Sequence, residues 1–398
     1  MATVQTAPAT SDIDLFSDET LGSNDDSVFA QLRELAPVVY LPKNNAYAIT
    51  RYDHVRAALA NTDVFSSSGV AFNPQMNDIL TGTSLAADPP EHGKLRSVLT
   101  DNLSPRALRP LRTTINEKAD EMVRDLFSRE AFDGMTDLAV AFPVSIVLDL
   151  IGVQGELREK ILPWGEAAFN LLGPLNQRAQ ESFPTAGELF TWTHEEMRGN
   201  DLAEGSIGRA IWEAAERGEI SHDSFGYIVH QILAAGMDTT ITTIGNSLVL
   251  FGQHPEQYAR LREDSSLAAS AMAEVIRLRT PAPVFGRKTL IEVEVAGTLI
   301  PAGSQVALCY GSGNMDPRKF ERPEEFDITR NPVDHLGFGY GIHGCAGQGL
   351  AKLEIQALLL AMARYVESFS IGEVTSRLNN FTRPYASIEI TNIVLDAD

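Results

Sequence analysis

Cysteine is nearly absent: the 398-residue chain has two. Two cannot build a disulfide framework, so a reducing compartment, the cytoplasm, is expected. Basic residues are also scarce. Lys and Arg number 32 against 53 Asp and Glu, a formal charge of −21, which excludes non-specific binding to nucleic acid because phosphates require a basic surface. Long apolar runs are missing. The longest, near 138–153, contains Pro143 and Asp149 and falls short of the ~20 residues a bilayer span requires. Met1 to Asp12 has no basic start and no apolar segment, so no leader peptide is expected. No internal repeat is visible. No G-x-G-x-x-G fingerprint opens a strand–helix unit, so no flavin or nicotinamide domain is expected in these residues. His343 and Cys345 together are too few ligands for structural zinc.

What remains is a globular composition with ample apolar content for a large core. Residues 1–25 are small, polar and acidic, and are expected to be loosely ordered; 26–398 are expected to form one domain. Residues 38–41 and 46–50 read as strands joined by the turn-forming Lys43-Asn44-Asn45, and Asp53 caps a short helix through Ala60. Residues 66–86 lack periodicity and are expected to form a long, functional loop. From 105 to 205 the pattern is mostly helical, interrupted near Gly152 and near Gly173-Pro174. Further strands are expected in 285–295 and 304–310, and a hairpin in 379–390.

Three stretches carry chemistry. Phe338-Gly339-Tyr340-Gly341-Ile342-His343-Gly344-Cys345-Ala346-Gly347 places a cysteine after a loop of small residues and directly before an apolar helix. Glycines allow left-handed turns and close approach. The helix N-terminus favours the thiolate and should depress its pKa, and backbone N–H groups aimed at the sulfur would tune a soft metal bound there. In Asp88-Pro89-Pro90-Glu91-His92 a helix begins, and His92 and Arg96, four apart, share one of its faces. The third stretch is 223–253, which reads as one long helix. Its middle, Ala234-Ala235-Gly236-Met237-Asp238-Thr239-Thr240, breaks the rules for a core helix, since hydroxyls compete for backbone carbonyls and a buried carboxylate is costly without a task. Glu274 and Arg277, spaced i,i+3 on a further helix, are individually a commonplace pair.

Together these motifs resemble those of the cytochrome P450 superfamily, in the family's order from His92 to Gly347. The resemblance implies a mainly α fold with a minor β region. It implies a haem b ligated by Cys345, with Phe338, His343 and Gly347 shaping the loop and His92, Arg96 and Arg287 holding the haem propionates. A thiolate ligand of this kind pushes electron density to favour O–O cleavage. Gly236 leaves room for dioxygen, and Asp238 and Thr239 deliver protons. Glu274, Arg277 and Arg330 are the structural support of the cysteine loop. The activity implied is haem-thiolate monooxygenation with O2 and two electrons from a separate ferredoxin and its reductase, docking near Lys94, Arg96, Arg106, Arg109 and Arg112.

Substrate is expected to meet Phe72, Leu85, Phe169, Leu172, Ala235, Val284, Phe285 and Phe381, a mostly apolar set. Pro37-Val38-Val39-Tyr40-Leu41, Ser67-Ser68-Gly69-Val70 and Phe169-Asn170-Leu171-Leu172-Gly173-Pro174 are similar to bacterial members that demethylate para-methoxybenzoates. Ser68 stands where an arginine for the carboxylate is expected, which favours a neutral aromatic such as an alkylated methoxyphenol, demethylated with release of formaldehyde. A terpene or fatty-acid hydroxylase is the alternative substrate class. A peroxide-driven peroxygenase and a haem-based gas-binding protein are the rival activities; neither needs the acid–alcohol pair Asp238 and Thr239.

Overall fold

Short β-branched and aromatic runs, bounded by turn residues, assemble the sheets of a chain that is otherwise helical. The computed structural model describes residues 8–23, 26–155 and 157–396. Strands β1 (Ala9–Thr10), β2 (Val38–Leu41), β3 (Ala46–Ile49), β4 (Phe65–Ser66), β6 (Val284–Thr289) and β9 (Gln305–Cys309) form one sheet in the order β1-β2-β3-β9-β6-β4. Strand β5 (Phe132–Asp133) joins the long hairpin of β10 (Val366–Ser376) and β11 (Tyr385–Leu395), and β7 (Val293–Val295) pairs with β8 (Thr298–Ile300). The strands read at 38–50, 285–295 and 304–310 are all present.

Seven helices position the site: α1 (Glu91–Asn102), α2 (Leu157–Asn170), α3 (Gln177–Thr191), α4 (His222–Ala235), α5 (Asp238–Gln253), α6 (Ala268–Leu278) and α7 (Gln348–Tyr365). Side-chain caps start several of them: Asn176 accepts from Ala179 N for α3 and Ser221 from Ser224 N for α4, each satisfying an orphan N–H of a first turn. The largest core cluster joins α4, α5, α6 and α7 through residues such as Leu233, Leu248, Phe251, Val275 and Leu358.

Four expectations are corrected. The stretch 223–253 is two helices, broken at Gly236-Met237. Residues 66–86 are not a bare loop: Ser67–Gly69 form a 3₁₀ turn and Asn73 caps the helix Pro74–Ile79, accepting from Met76 N at 2.8 Å. Of the segment 1–25, residues 1–7 and 24–25 lie outside the described residues, but 8–23 are placed. Ala9 and Thr10 add a parallel strand opposite Val39 and Tyr40, and Leu15, Phe16 and Leu21 are buried. A few apolar anchors suffice to dock a polar segment, which composition averages hide. Finally, among the described residues one helical stretch, Gly134–Ile151, is long and apolar enough to cross a membrane; 61% of it is buried within the protein, as in a core helix.

Candidate active site

The cysteine loop is shaped by its backbone. Gly339 and Gly341 have φ of +69° and +73°, a region an L side chain rarely adopts. They fold the loop so that Cys345 N–H donates to Phe338 O at 2.8 Å. The N–H groups of Gly347 and Gln348, at the start of α7, point at the Cys345 sulfur. Burial nevertheless pushes the Cys345 thiol up, outweighing those donors together with Arg96 and Lys352. The depressed pKa expected from the helix terminus alone is thus corrected: in the polypeptide itself desolvation wins, and a bound cation is what would hold the sulfur as thiolate.

Beside the sulfur, donors converge without a carboxylate to meet them. The Arg96 guanidinium donates to Gly344 O, and burial lowers its pKa. His92 is buried, and its Nε2 has no partner. Its ring lies 4.3 Å from that of His343, whose pKa is pulled down to about 3 by burial and by Arg287, His92 and Arg96. Arg287 donates from Nη1 to Gly286 O at 2.7 Å and is buried. The nearest acid, Asp88, is already engaged: it accepts from Ser66 Oγ and, at 3.0 Å, from Ser67 N. Ser67 Oγ in turn lies 3.0 Å from His343 Nε2. Asp88 and Ser67 stand in stretches singled out in the sequence, but their roles as partners of one another and of His343 depend on contacts 21 and 276 residues apart.

The break between α4 and α5 falls at Gly236-Met237. A Cβ at Gly236 would sit 2.4 Å from Ile232 O, so the break requires glycine. Ala235 is exposed and Thr239 half-exposed, although Met237, Asp238 and the run 240–251 are buried. Thr242 and Thr243 hydroxyls bond the carbonyls of Asp238 and Thr239, both at 2.7 Å, as mid-helix threonines do. The Asp238 carboxyl is pushed up to about 7 by burial and by the charge of Glu166, against the pull of Arg377; Glu166 and Arg377 themselves pair at 2.8 Å.

An unmatched set of donors beside a sulfur suits a flat group carrying a soft metal and peripheral carboxylates. The residues fit haem. Beneath the loop, Glu274 accepts from Arg277 Nε at 2.7 Å and from Arg330 Nε at 3.0 Å, with Glu274 and Arg277 fully buried. Arg277 Nη1 also reaches Asn314 O at 3.0 Å, and Asn314 Oδ1 accepts from Leu336 N at 2.6 Å, at the entry to the cysteine loop.

Of the eight residues expected around a substrate, Leu85, Phe169, Leu172, Phe285 and Phe381 meet in one apolar cluster. Phe381 stacks on Phe169 (5.4 Å, 19°) and meets Phe285 edge-on (4.8 Å, 86°). Ala235 lies on the exposed turn described above. Phe72 and Val284 are elsewhere, in the cluster under the N-terminal segment, where Phe72 packs 4.8 Å from Phe16. Ser68 is exposed, its Oγ 2.7 Å from Ser66 Oγ. An amide network closes that cluster from outside. Asn380 donates from its backbone to Asn170 Oδ1 (2.9 Å), and its Oδ1 accepts from Asn176 Nδ2 (2.9 Å) and Arg178 Nε (3.0 Å). Arg178 also holds Phe16 O at 2.8 Å and pairs with Asp18.

Comparison with known proteins agrees with this geometry. A family profile described as Cytochrome P450 matches residues 149–389, and the chain belongs to that family, whose members bind a cysteine-ligated haem b. It is 37% identical over 365 residues to cytochrome P450 CYP199A2 of Rhodopseudomonas palustris, covering 90% of this chain and 89% of that one. It is 30% identical to the putative cytochrome P450 YjiB of Bacillus subtilis, covering 84% of this chain and 85% of that protein. Among solved structures, CYP109E1 of Bacillus megaterium in complex with testosterone superposes with a TM-score of 0.84 at 26% identity, over 95% of this chain and 100% of that one. Cytochrome P450 CREJ in complex with (4-ethylphenyl) dihydrogen phosphate gives 0.82 at 27% identity, over 91% and 96%. The protein is therefore a P450 monooxygenase of bacterial type.

Proposed function

We propose that this monooxygenase takes a small neutral aromatic ether, such as an alkylated methoxyphenol, and removes its methyl group. The observation that carries this reading is the box of rings made by Phe169, Phe285 and Phe381. Offset-stacked and edge-on aromatic pairs of this kind accept a further flat ring with the same geometry. With Ser68 turned to solvent, the case for a neutral substrate rests on these walls. The para-alkylated aryl ligand of the CREJ complex is of comparable size. Relatives described as a steroid C26-monooxygenase and a 6-deoxyerythronolide B hydroxylase act on larger molecules, so family membership alone does not select a substrate.

Bound at Cys345, haem would supply the O2-derived oxidant that hydroxylates the methoxy carbon. The chain's own contribution is positional. The aromatic box orients the ring and excludes water. Asp238, a neutral acid below pH of about 7, holds a proton beside Thr239 for transfer into the site. The hydroxylated product is a hemiacetal that collapses to phenol and formaldehyde: the ether, O2, NADH and a proton give the phenol, formaldehyde, water and NAD+.

Bacterial members of the family draw electrons from a ferredoxin and its reductase. On this chain the docking face is proposed at Arg106, Arg109 and Arg112. All three are exposed and have no salt bridge among the described residues, whereas Lys94 pairs with Glu91. Their segment packs close to the sulfur: a Cβ at Gly349, in the first turn of α7, would meet Leu108 Cδ1 at 3.2 Å. The acid–alcohol pair favours this partner-driven route over a peroxygenase, and comparison of NADH-plus-ferredoxin with peroxide turnover separates them. The substrate reading is tested by screening methoxyarenes for a haem spin-state shift while counting formaldehyde per NADH. One formaldehyde per NADH with alkylated methoxyphenols is expected; a response confined to terpenes, fatty acids or macrolides overturns it.

A further inference from the structure

Outside the site described above, a cavity of about 50 Å³ is lined by Arg279, Arg383, Asn246, Thr280, Phe29 and Asp26, with neighbouring residues. That is room for roughly three or four waters, or one anion of a few heavy atoms. Most polar groups on the wall are already committed. Asn246 Nδ2 donates to Arg279 O at 3.1 Å, the Thr280 hydroxyl donates to Ile276 O at 3.1 Å, and Asp26 pairs with Arg33 at 2.6 Å. The two arginines are not. Neither has a salt bridge among the described residues. Arg279 Nε is buried without a partner, and Arg383 makes one long side-chain bond, from Nη1 to Thr382 O at 3.4 Å. Burial, with the charge of Arg178, draws the Arg383 pKa down to about 10, which still leaves it cationic at neutral pH. Both arginines are half-buried, and a permanently charged planar fork with no acidic partner favours an anion beside it.

We propose that this cavity binds a small carboxylate through Arg279 and Arg383. A carboxylate matches the planar donor fork and fits the volume. The site is coupled to the aromatic box by the chain itself. Arg383 lies two residues beyond Phe381, and its N–H donates to Pro281 O at 3.2 Å, one residue before Ala282 of the same apolar cluster. An occupied site steadies the turn that carries Phe381.

The test uses the full-length holoprotein with acetate as probe and chloride at matched ionic strength as control. Acetate is expected to raise the thermal midpoint saturably, by about 2 °C or more, and to slow amide hydrogen exchange in 379–385. Chloride should do neither. The acetate effects should vanish in Arg279→Gln and in Arg383→Gln, read separately so that a folding defect in one leaves the other decisive. Equal responses to acetate and chloride, no response, or a response kept in a folded variant each overturn the proposal. The readouts are independent of turnover and stand whether or not an aromatic ether is the substrate.

Discussion

Ser67 Oγ lies 3.0 Å from His343 Nε2, joining residues 276 positions apart. The bond links the 3₁₀ turn after β4 to the cysteine loop, and through Ser67 N it reaches Asp88 just before α1. Replacing Ser67 by alanine leaves a largely buried imidazole nitrogen without its partner, at a cost of about 1–3 kcal/mol. Ser67→Ala should lose haem to an acceptor apoprotein roughly tenfold faster or more; an unchanged transfer rate would show that the bond does not contribute to retention.

Asp238 sets a pH dependence with a definite sign. Its pKa is raised from 3.8 to about 7, so the proton-holding form is lost as pH climbs through 7. Partner-driven turnover should fall over the same interval. Asp238→Asn should remove that inflection and slow turnover by about 10²-fold or more. Linkage gives a second readout. Between pH of about 4 and 7 the native state holds a proton the unfolded chain has released, so the wild type loses stability across that window as pH rises. The melting temperature of Asp238→Asn should be flatter there.

Glu274 faces two arginines with no exposure of its own. Removing it strands Arg277 in the core, a defect of about 3–5 kcal/mol. Glu274→Ala should therefore lower the denaturation midpoint sharply and reduce haem incorporation, with Glu274→Gln intermediate because it retains an acceptor oxygen. A midpoint within error of wild type would contradict a supporting role for the triad.

Reversing charge at Arg109 and Arg112 should cut ferredoxin-driven turnover about tenfold at low ionic strength, with the deficit shrinking as salt screens both proteins. Peroxide-driven turnover and the carbon monoxide difference spectrum should not change. Loss of either would move the effect from docking to folding.

The parts of this molecule legible in its sequence are those written in contiguous residues. The glycine-flanked Cys345 and the anomalous residues at 234–240 each announce chemistry within a few positions, and the i,i+3 spacing of Glu274 and Arg277 gives a pair that the structure ties to the cysteine loop through Asn314 and Leu336. What escaped depends on remote partners. The break between α4 and α5 is the exception, since its cause is local: Gly236 stands where a Cβ would meet Ile232 O four residues back. Ala9 and Thr10 become a strand only because Val39 and Tyr40 offer an edge. Phe72 and Ser68 lie in a stretch of residues suited to a pocket, yet Phe16 takes one and solvent the other. The two adjacent asparagines before Phe381 were the available hint of the amide network, and their meaning depended on Asn170 and Asn176.

Arg178 grips the beginning of the polypeptide with one end of its guanidinium and the turn bearing Phe381 with the other. Trimming the first twenty residues, or burdening them with a fusion partner, would consequently reach Phe381, one wall of the proposed aromatic box, without touching the cysteine loop.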